Sequence, residues 1–238
     1  MPARRQTPFE VIPAVDVLDG KVVRLRRGDY GQVTEYGSDP VDVARAWLDQ
    51  GAGRVHVVDL AGARSGETNF DLWERMAAAG VVFQAGGGIR TAQQARAVLA
   101  MGADRVVMGT AAVWQPSALE GLGKRVLAAV DVRGDKATGA GWLDDGRDVD
   151  DVLDSLAGVG VEQLLVTGIS RDGMLDGPDI ELTEQVVADR RFGVIASGGV
   201  GGLDDVDRLS DLGCEAVVVG RALYEGHFTL ADALGRLR

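Results

Sequence analysis

Eight short apolar runs rich in β-branched residues recur along the chain, at residues 11–16, 54–59, 81–85, 105–108, 126–131, 163–167, 193–196 and 215–219. Each is too short for a helix and too continuously apolar for a strand with one wet face. Strands buried on both faces of a parallel sheet read this way. Helical segments with marked starts lie between them. Asp39 and Pro40 open one that carries Val43, Ala46 and Trp47 on one side. Thr91 precedes another at 92–101, closed by Gly102, and those at 148–156, 179–188, 204–212 and 229–237 begin on Asp or Thr in the same style. Eight rounds of strand, glycine-bearing loop and capped helix predict an α/β fold, a closed (β/α)8 TIM barrel, with a doubly wound open sheet as the alternative.

The two halves resemble each other. Residues 11–17 align with 126–132, the run Gly86-Gly87-Gly88-Ile89 with Ser197-Gly198-Gly199-Val200, and Gly109-Thr110-Ala111 with Gly220-Arg221-Ala222. Agreement at several places points to a duplicated half-barrel. No linker or low-complexity stretch divides the halves, so residues 1–238 are expected to form one barrel domain.

Composition narrows the function classes. At 46% hydrophobic over 238 residues the chain can bury a sizeable core, and no stretch approaches the length of a membrane span. A net charge of -11 disfavours nonspecific nucleic-acid binding, which needs a basic surface. Cys214 is the only cysteine, which suits a reducing compartment, and with two histidines it leaves little for a transition-metal site. The basic start at residues 1–7 runs into Pro8 with no apolar segment, so no secretory leader is expected. These points predict a cytoplasmic protein with no membrane or nucleic-acid partner and no metal; a monomer is expected.

Chemistry in such barrels gathers at the carboxyl ends of the strands. Asp16 and Asp131 each end an otherwise apolar strand, the first and the fifth, which lie opposite each other in an eight-stranded ring. A single Asp there caps its own loop as readily as it does chemistry. Two at equivalent positions of the repeat suit proton transfer, one arm donating and one accepting. Glycine clusters follow strands three, four, seven and eight: Gly87 and Gly88, Gly109 with Thr110, Gly198 and Gly199, and Gly220 with Arg221. Bare backbone lets N–H groups converge on an anion, and the duplicated set predicts two phosphates on opposite sides of one mouth. A long substrate with a phosphate at each end is the direct reading.

Several residues keep two readings. Loop one holds Arg24, Arg26, Arg27 and Tyr30, and the glycine-punctuated loop six, residues 168–178, has the make-up of a mobile lid. Within it Asp172 reads as a functional carboxylate or an Asp-Gly turn residue. Trp142 could stack on a flat ring or anchor its loop, and His56 could be a satisfied core histidine or a group that reaches substrate. Arg90 could steady a phosphate or carboxylate, or sit solvated at a helix start.

The run 12–17 with Gly20-Lys21-Val22-Val23-Arg24-Leu25 and Gly28-Asp29-Tyr30 resembles the start of the phosphoribosylformimino-aminoimidazole-carboxamide ribotide (ProFAR) isomerases of histidine biosynthesis. The resemblance continues through residues 86–90, 131–133, Gly141-Trp142, 169–173 and 219–223, and covers essentially the whole chain after about residue 9. It implies an Amadori rearrangement of an aminoaldose to an aminoketose, without metal or cofactor. It also implies Asp16 as general base, Asp172 or Asp131 as general acid, and Thr167 beside the reacting sugar. Arg24, His56, Arg90 and Trp142 join Thr167 as expected substrate contacts. One departure stands out: Gly168 follows Thr167 where the family commonly has Asp or Glu, and altered tuning rather than loss is expected.

Two relatives compete. The sister cyclase commonly has a cysteine before the first-strand Asp and a lysine soon after it, and Ala14 with Arg24-Leu25-Arg26 departs from that. The bifunctional isomerase of some actinobacteria also takes phosphoribosylanthranilate and usually has an arginine two residues before the tryptophan, where this chain has Ala140. Arg133 or Arg147 could supply a substitute. A non-catalytic barrel that binds a phosphorylated metabolite is the alternative of another class.

Overall fold

The computed structural model describes residues 9–26 and 28–237. Residues 1–8, on which the expectation about a leader rests, lie outside the described residues, as do Arg27, the Arg26 side chain and residue 238. Eight parallel strands form a closed ring: β1 (Glu10–Leu18), β2 (Val55–Asp59), β3 (Phe83–Gly86), β4 (Arg105–Met108), β5 (Val126–Arg133), β6 (Gln163–Gly168), β7 (Gly193–Ser197) and β8 (Ala216–Val219). Each pairs with its sequence neighbours, and β8 pairs with β1 to close the barrel.

Helices cover the outside: α1 (Pro40–Asp49), α2 (Phe70–Ala78), α3 (Ala92–Met101), α4 (Thr110–Trp114), α5 (Val149–Gly158), α6 (Ile180–Asp189), α7 (Leu203–Leu212) and α8 (Leu230–Arg236). Their starts follow the capping chemistry in the sequence. The Asp39 carboxylate accepts from Val41 N, Thr91 and Gln94 form a reciprocal capping box, and Asp148, Asp179 and Thr229 each accept from the first turn of their helix. Helix α7 starts differently. Gly202 is its cap, and Asp205 rather than Asp204 accepts from the N–H groups of Gly201 and Gly202.

Two readings are corrected. The buried face of α1 is Pro40, Val41 and Ala44; Val43 and Trp47 flank it half-buried, and Ala46 is exposed. The long loop one is largely an antiparallel hairpin, Lys21–Arg26 against Asp29–Gly37, continuing from β1. The second half repeats this device in miniature, because Lys136–Thr138 folds back on β5. Asp16 thus pairs with Val23 and Asp131 with Thr138, so both aspartates lie where a barrel strand begins its excursion above the mouth.

Inside the ring, Ile12, Ala14, Leu127, Leu165, Ile195 and Val218 belong to one aliphatic cluster. A larger cluster packs the helices on the outer face, with Trp73 and Phe83 stacked at 6.0 Å between ring centroids. The lumen is a packed core, not a pore, so only its top layer is open to ligand. Among the described residues no helix is long and apolar enough to cross a membrane.

Candidate active site

The residues expected to do chemistry, touch substrate or hold phosphate all line one cavity of about 210 Å³ at the carboxyl end of the strands. The inward side chains at the strand ends make its floor, and loops one, five and six make its walls. Loop one brings Arg24 across β1, where Nη1 donates to Asp16 Oδ2 at 2.6 Å and Nη2 donates to the Ala14 carbonyl at 2.6 Å. The guanidinium lies 5.3 Å from the centre of the Tyr224 ring, whose hydroxyl also donates to the Ala14 carbonyl. Burial raises the Asp16 carboxyl above its ordinary range, with Arg24 pulling the other way. The result is a carboxyl group of heightened proton affinity paired with a neighbouring cation.

Across the mouth, Asp131 stands beside Thr167 in the β5–β6 register. Trp142 Nε1 donates to Asp131 Oδ2 at 2.8 Å, and its ring lies over Gly28, where a side chain would collide with it. Burial raises Asp131, and the hydrogen bonds from Trp142 and Thr167 oppose the rise. Asp172 stands apart from both in its balance. Burial and the nearby charges of Asp16 and Asp131 push it up to about 7, against the pull of Arg24 and the Gly173 N–H. One cavity therefore holds three carboxyl groups in three environments. Burial raises all of them; Arg24 opposes the rise at Asp16, Trp142 and Thr167 oppose it at Asp131, and the other two carboxyls add to it at Asp172.

The glycine clusters have a structural reason as well as a possible ligand. Gly87, Gly88, Gly198 and Gly199 all have positive φ. A side chain on Gly88 would run into the Glu67 carbonyl, and one on Gly199 into the Gly177 carbonyl. The repeat thus extends to loop packing: each cluster is pressed by the loop of the preceding strand. Loops five and six also hold Ala140, Trp142 and Leu175 at positive φ. Such backbone persists only where the surroundings over-determine it. For Trp142 they include Arg133 Nη2 on its carbonyl, and for Ala140 the Thr110 hydroxyl accepting from its N–H at 3.0 Å.

Other residues serve both cavity and scaffold. Arg90 donates from Nη2 to the Ala63 carbonyl, so it ties the loop after β2 to the first glycine cluster. Arg221 donates to the Gly173 carbonyl at 2.7 Å and to Glu225, fastening loop six beside Asp172. His56, 7% exposed, has its ring nitrogen Nδ1 2.8 Å from the Gln84 amide nitrogen. Burial, with Arg24 nearby, lowers its pKa to about 3, so it is neutral at physiological pH. The Gly168 departure has a steric counterpart: a Cβ there would stand 2.6 Å from that of Asp179, the cap of α6.

Residues 10–229 match the family model described as histidine biosynthesis protein. The chain belongs to that family. A 1-(5-phosphoribosyl)-5-((5-phosphoribosylamino)methylideneamino)imidazole-4-carboxamide isomerase of Roseiflexus castenholzii is 43% identical over 95% of this chain and 98% of its own length. Proteins of the same name from Synechococcus and Renibacterium salmoninarum are each 42% identical, over 95% of this chain and 92% and 96% of their own lengths. The likeness to the ProFAR isomerases therefore spans both halves of the barrel and every loop described above.

Sequence reasoning missed Tyr224 and Gln84. Tyr224 sits on the short helix that follows the Gly220 cluster, and its signal was proximity to that motif. Gln84 is a fully buried amide in an otherwise apolar strand, a polar interruption of the kind that marked Asp16 and Asp131.

Proposed function

We propose that this chain isomerises ProFAR by an Amadori rearrangement, with Asp172 as general acid and Asp16 as general base. The observation that carries the assignment is the contrast between the two carboxyl groups. Asp172 is raised to about 7, and Asp16 is paired at 2.6 Å with Arg24. Asp172 gives its proton to the ribose ring oxygen as the C1–O bond breaks, and the glycosylamine nitrogen lone pair closes a C1=N bond. Asp16 then removes the proton from C2, and the electrons of that bond form C1=C2 as the C1=N pair returns to nitrogen. The enolamine gains a proton at C1 and loses one from its hydroxyl, leaving the C2 ketone. Atoms and electrons balance with no redox partner.

Asp131 orients substrate with Thr167, and Trp142 sets the Asp131 carboxylate. Gly87, Gly88, Gly109 and Thr110 hold one phosphate and Gly198, Gly199, Gly220 and Arg221 the other, with Arg90 supporting the first side. His56 offers an uncharged contact from the floor. The acidic balance disfavours a nucleic-acid partner and the lone cysteine suits the cytoplasm, where the chain is read as a monomer. Against a second activity on phosphoribosylanthranilate, Arg147 is committed to the Val113 carbonyl and Arg133 to that of Trp142, and neither stands in for the arginine missing at Ala140.

Asp16→Asn tests the reading. Removing a general base costs roughly 10²–10⁴-fold in kcat, while substrate binding stays within a few-fold of wild type. Unchanged turnover would remove Asp16 from the mechanism, and lost binding with lost turnover would make it a binding group.

A further inference from the structure

His56 and Gln84 are neighbours in register on β2 and β3, level with Ala14 on β1. Residues in register on adjacent parallel strands face the same way, so both side chains enter the barrel lumen among aliphatic neighbours. Gln84 is fully buried, and its amide meets His56 Nδ1 at 2.8 Å. Gln84 Oε1 finds no partner among the described residues. Two arrangements are open to this pair. With the amide nitrogen donating, Nδ1 is the bare acceptor, and the carbonyl oxygen and the second N–H are left unpaired. With the amide reversed, Nδ1–H donates to the oxygen and two N–H donors are left unpaired in the lumen. Each leaves two hydrogen-bonding functions unpaired, so the count does not separate them. The structure has the amide nitrogen facing Nδ1, an amide nitrogen only donates, and the first arrangement therefore places the ring proton on Nε2.

Nε2 is the ring nitrogen left to the cavity. His56 lines it, and Nε2 is not among the buried atoms lacking a partner. We infer that Gln84 is a positioning residue that fixes His56 as the Nε2–H tautomer, so that the cavity floor presents an uncharged N–H donor to an oxygen of the bound sugar. The inference rests on the isomerase reading for its consequence, not for the tautomer. A neutral donor suits this reaction, because it stabilises oxygen in the enolamine without competing with Asp172 for the ring-opening proton. An imidazolium there would add a charge beside Arg24 and pull the Asp172 proton affinity down.

The chain has only His56 and His227, so ring-nitrogen spectra of the whole protein resolve His56 without ambiguity. Long-range nitrogen–proton NMR of the ligand-free wild type is expected to show a protonated Nε2 and a bare Nδ1, unchanged from pH 5 to pH 9. A protonated Nδ1, or an averaged ring, overturns the inference. Gln84→Glu offers an acceptor in place of the donor, and is expected to bring the proton to Nδ1 and make His56 titrate. Its kcat on ProFAR is expected to fall roughly ten- to a hundredfold, with KM within a few-fold of wild type. Gln84→Glu that moves the proton yet leaves kcat unchanged overturns the positioning role. The spectrum needs no substrate, so it tests the tautomer whether or not wild type turns ProFAR over.

Discussion

Asp172 holds its proton because it is buried beside two other carboxylates, and each neighbour can be removed separately. If Asp172 is the general acid as proposed, the alkaline limb of kcat/KM on ProFAR is expected near pH 7, where it loses its proton. Arg24 lowers the Asp172 pKa, so Arg24→Met moves that limb to higher pH while cutting the rate, and a pH–rate profile of the variant checks the sign. The same burial makes a stability statement. Asp172 ionises near 3.8 in the unfolded chain and about 7 in the native one, so its ionisation destabilises the native state as pH rises through that window. Asp172→Asn is therefore expected to raise Tm at pH 8 and to change it much less at pH 4. Equal shifts at both values would contradict the assignment. Asp16 and Asp131 were legible from sequence as polar ends of apolar runs. Asp172 read equally well as a turn residue, because its proton affinity comes from residues remote in sequence that no local pattern displays.

At the scale of single elements, glycine does two opposite jobs, and substitution separates them. Gly199 has φ +86° with the Gly177 carbonyl pressed against the site of a side chain, whereas Gly158 lies in α5 with nothing within 4 Å. Gly199→Ala is expected to destabilise by about 2 kcal/mol or more and to disturb loop six. Gly158→Ala is expected to stabilise by about 0.5–1 kcal/mol, since it removes freedom from the unfolded chain at no steric cost. Thermal unfolding of both variants checks the pair. Caps were readable in the sequence because Asp, Thr and Pro act on their own helix within a turn. The hairpin after β1 was not, because residues 29–37 are mostly exposed and carry no alternating apolar signal. The face of α1 was misphased for a related reason: several apolar residues compete there, and only the barrel decides which are covered.

The whole molecule is a ring whose two halves share one plan, down to the pairing of Asp16 with Val23 and of Asp131 with Thr138. That plan was visible because duplication leaves its mark at several separated places at once. The difference between the halves was not visible, since it comes from Arg24 pairing with Asp16 on one side and Trp142 with Asp131 on the other. On the proposed reading the pairing also bears on substrate choice: with a phosphate site on each side of the mouth, a ligand phosphorylated at both ends is expected to be favoured over one with a single phosphate. Steady-state turnover of ProFAR, with phosphoribosylanthranilate run in parallel, puts both the isomerase chemistry and this preference to the test at once. Conversion of ProFAR to its aminoketose is expected, with at most marginal turnover of phosphoribosylanthranilate. Binding of ProFAR without isomerisation would contradict the acid–base roles of Asp172 and Asp16 and leave a barrel that only holds a phosphorylated metabolite.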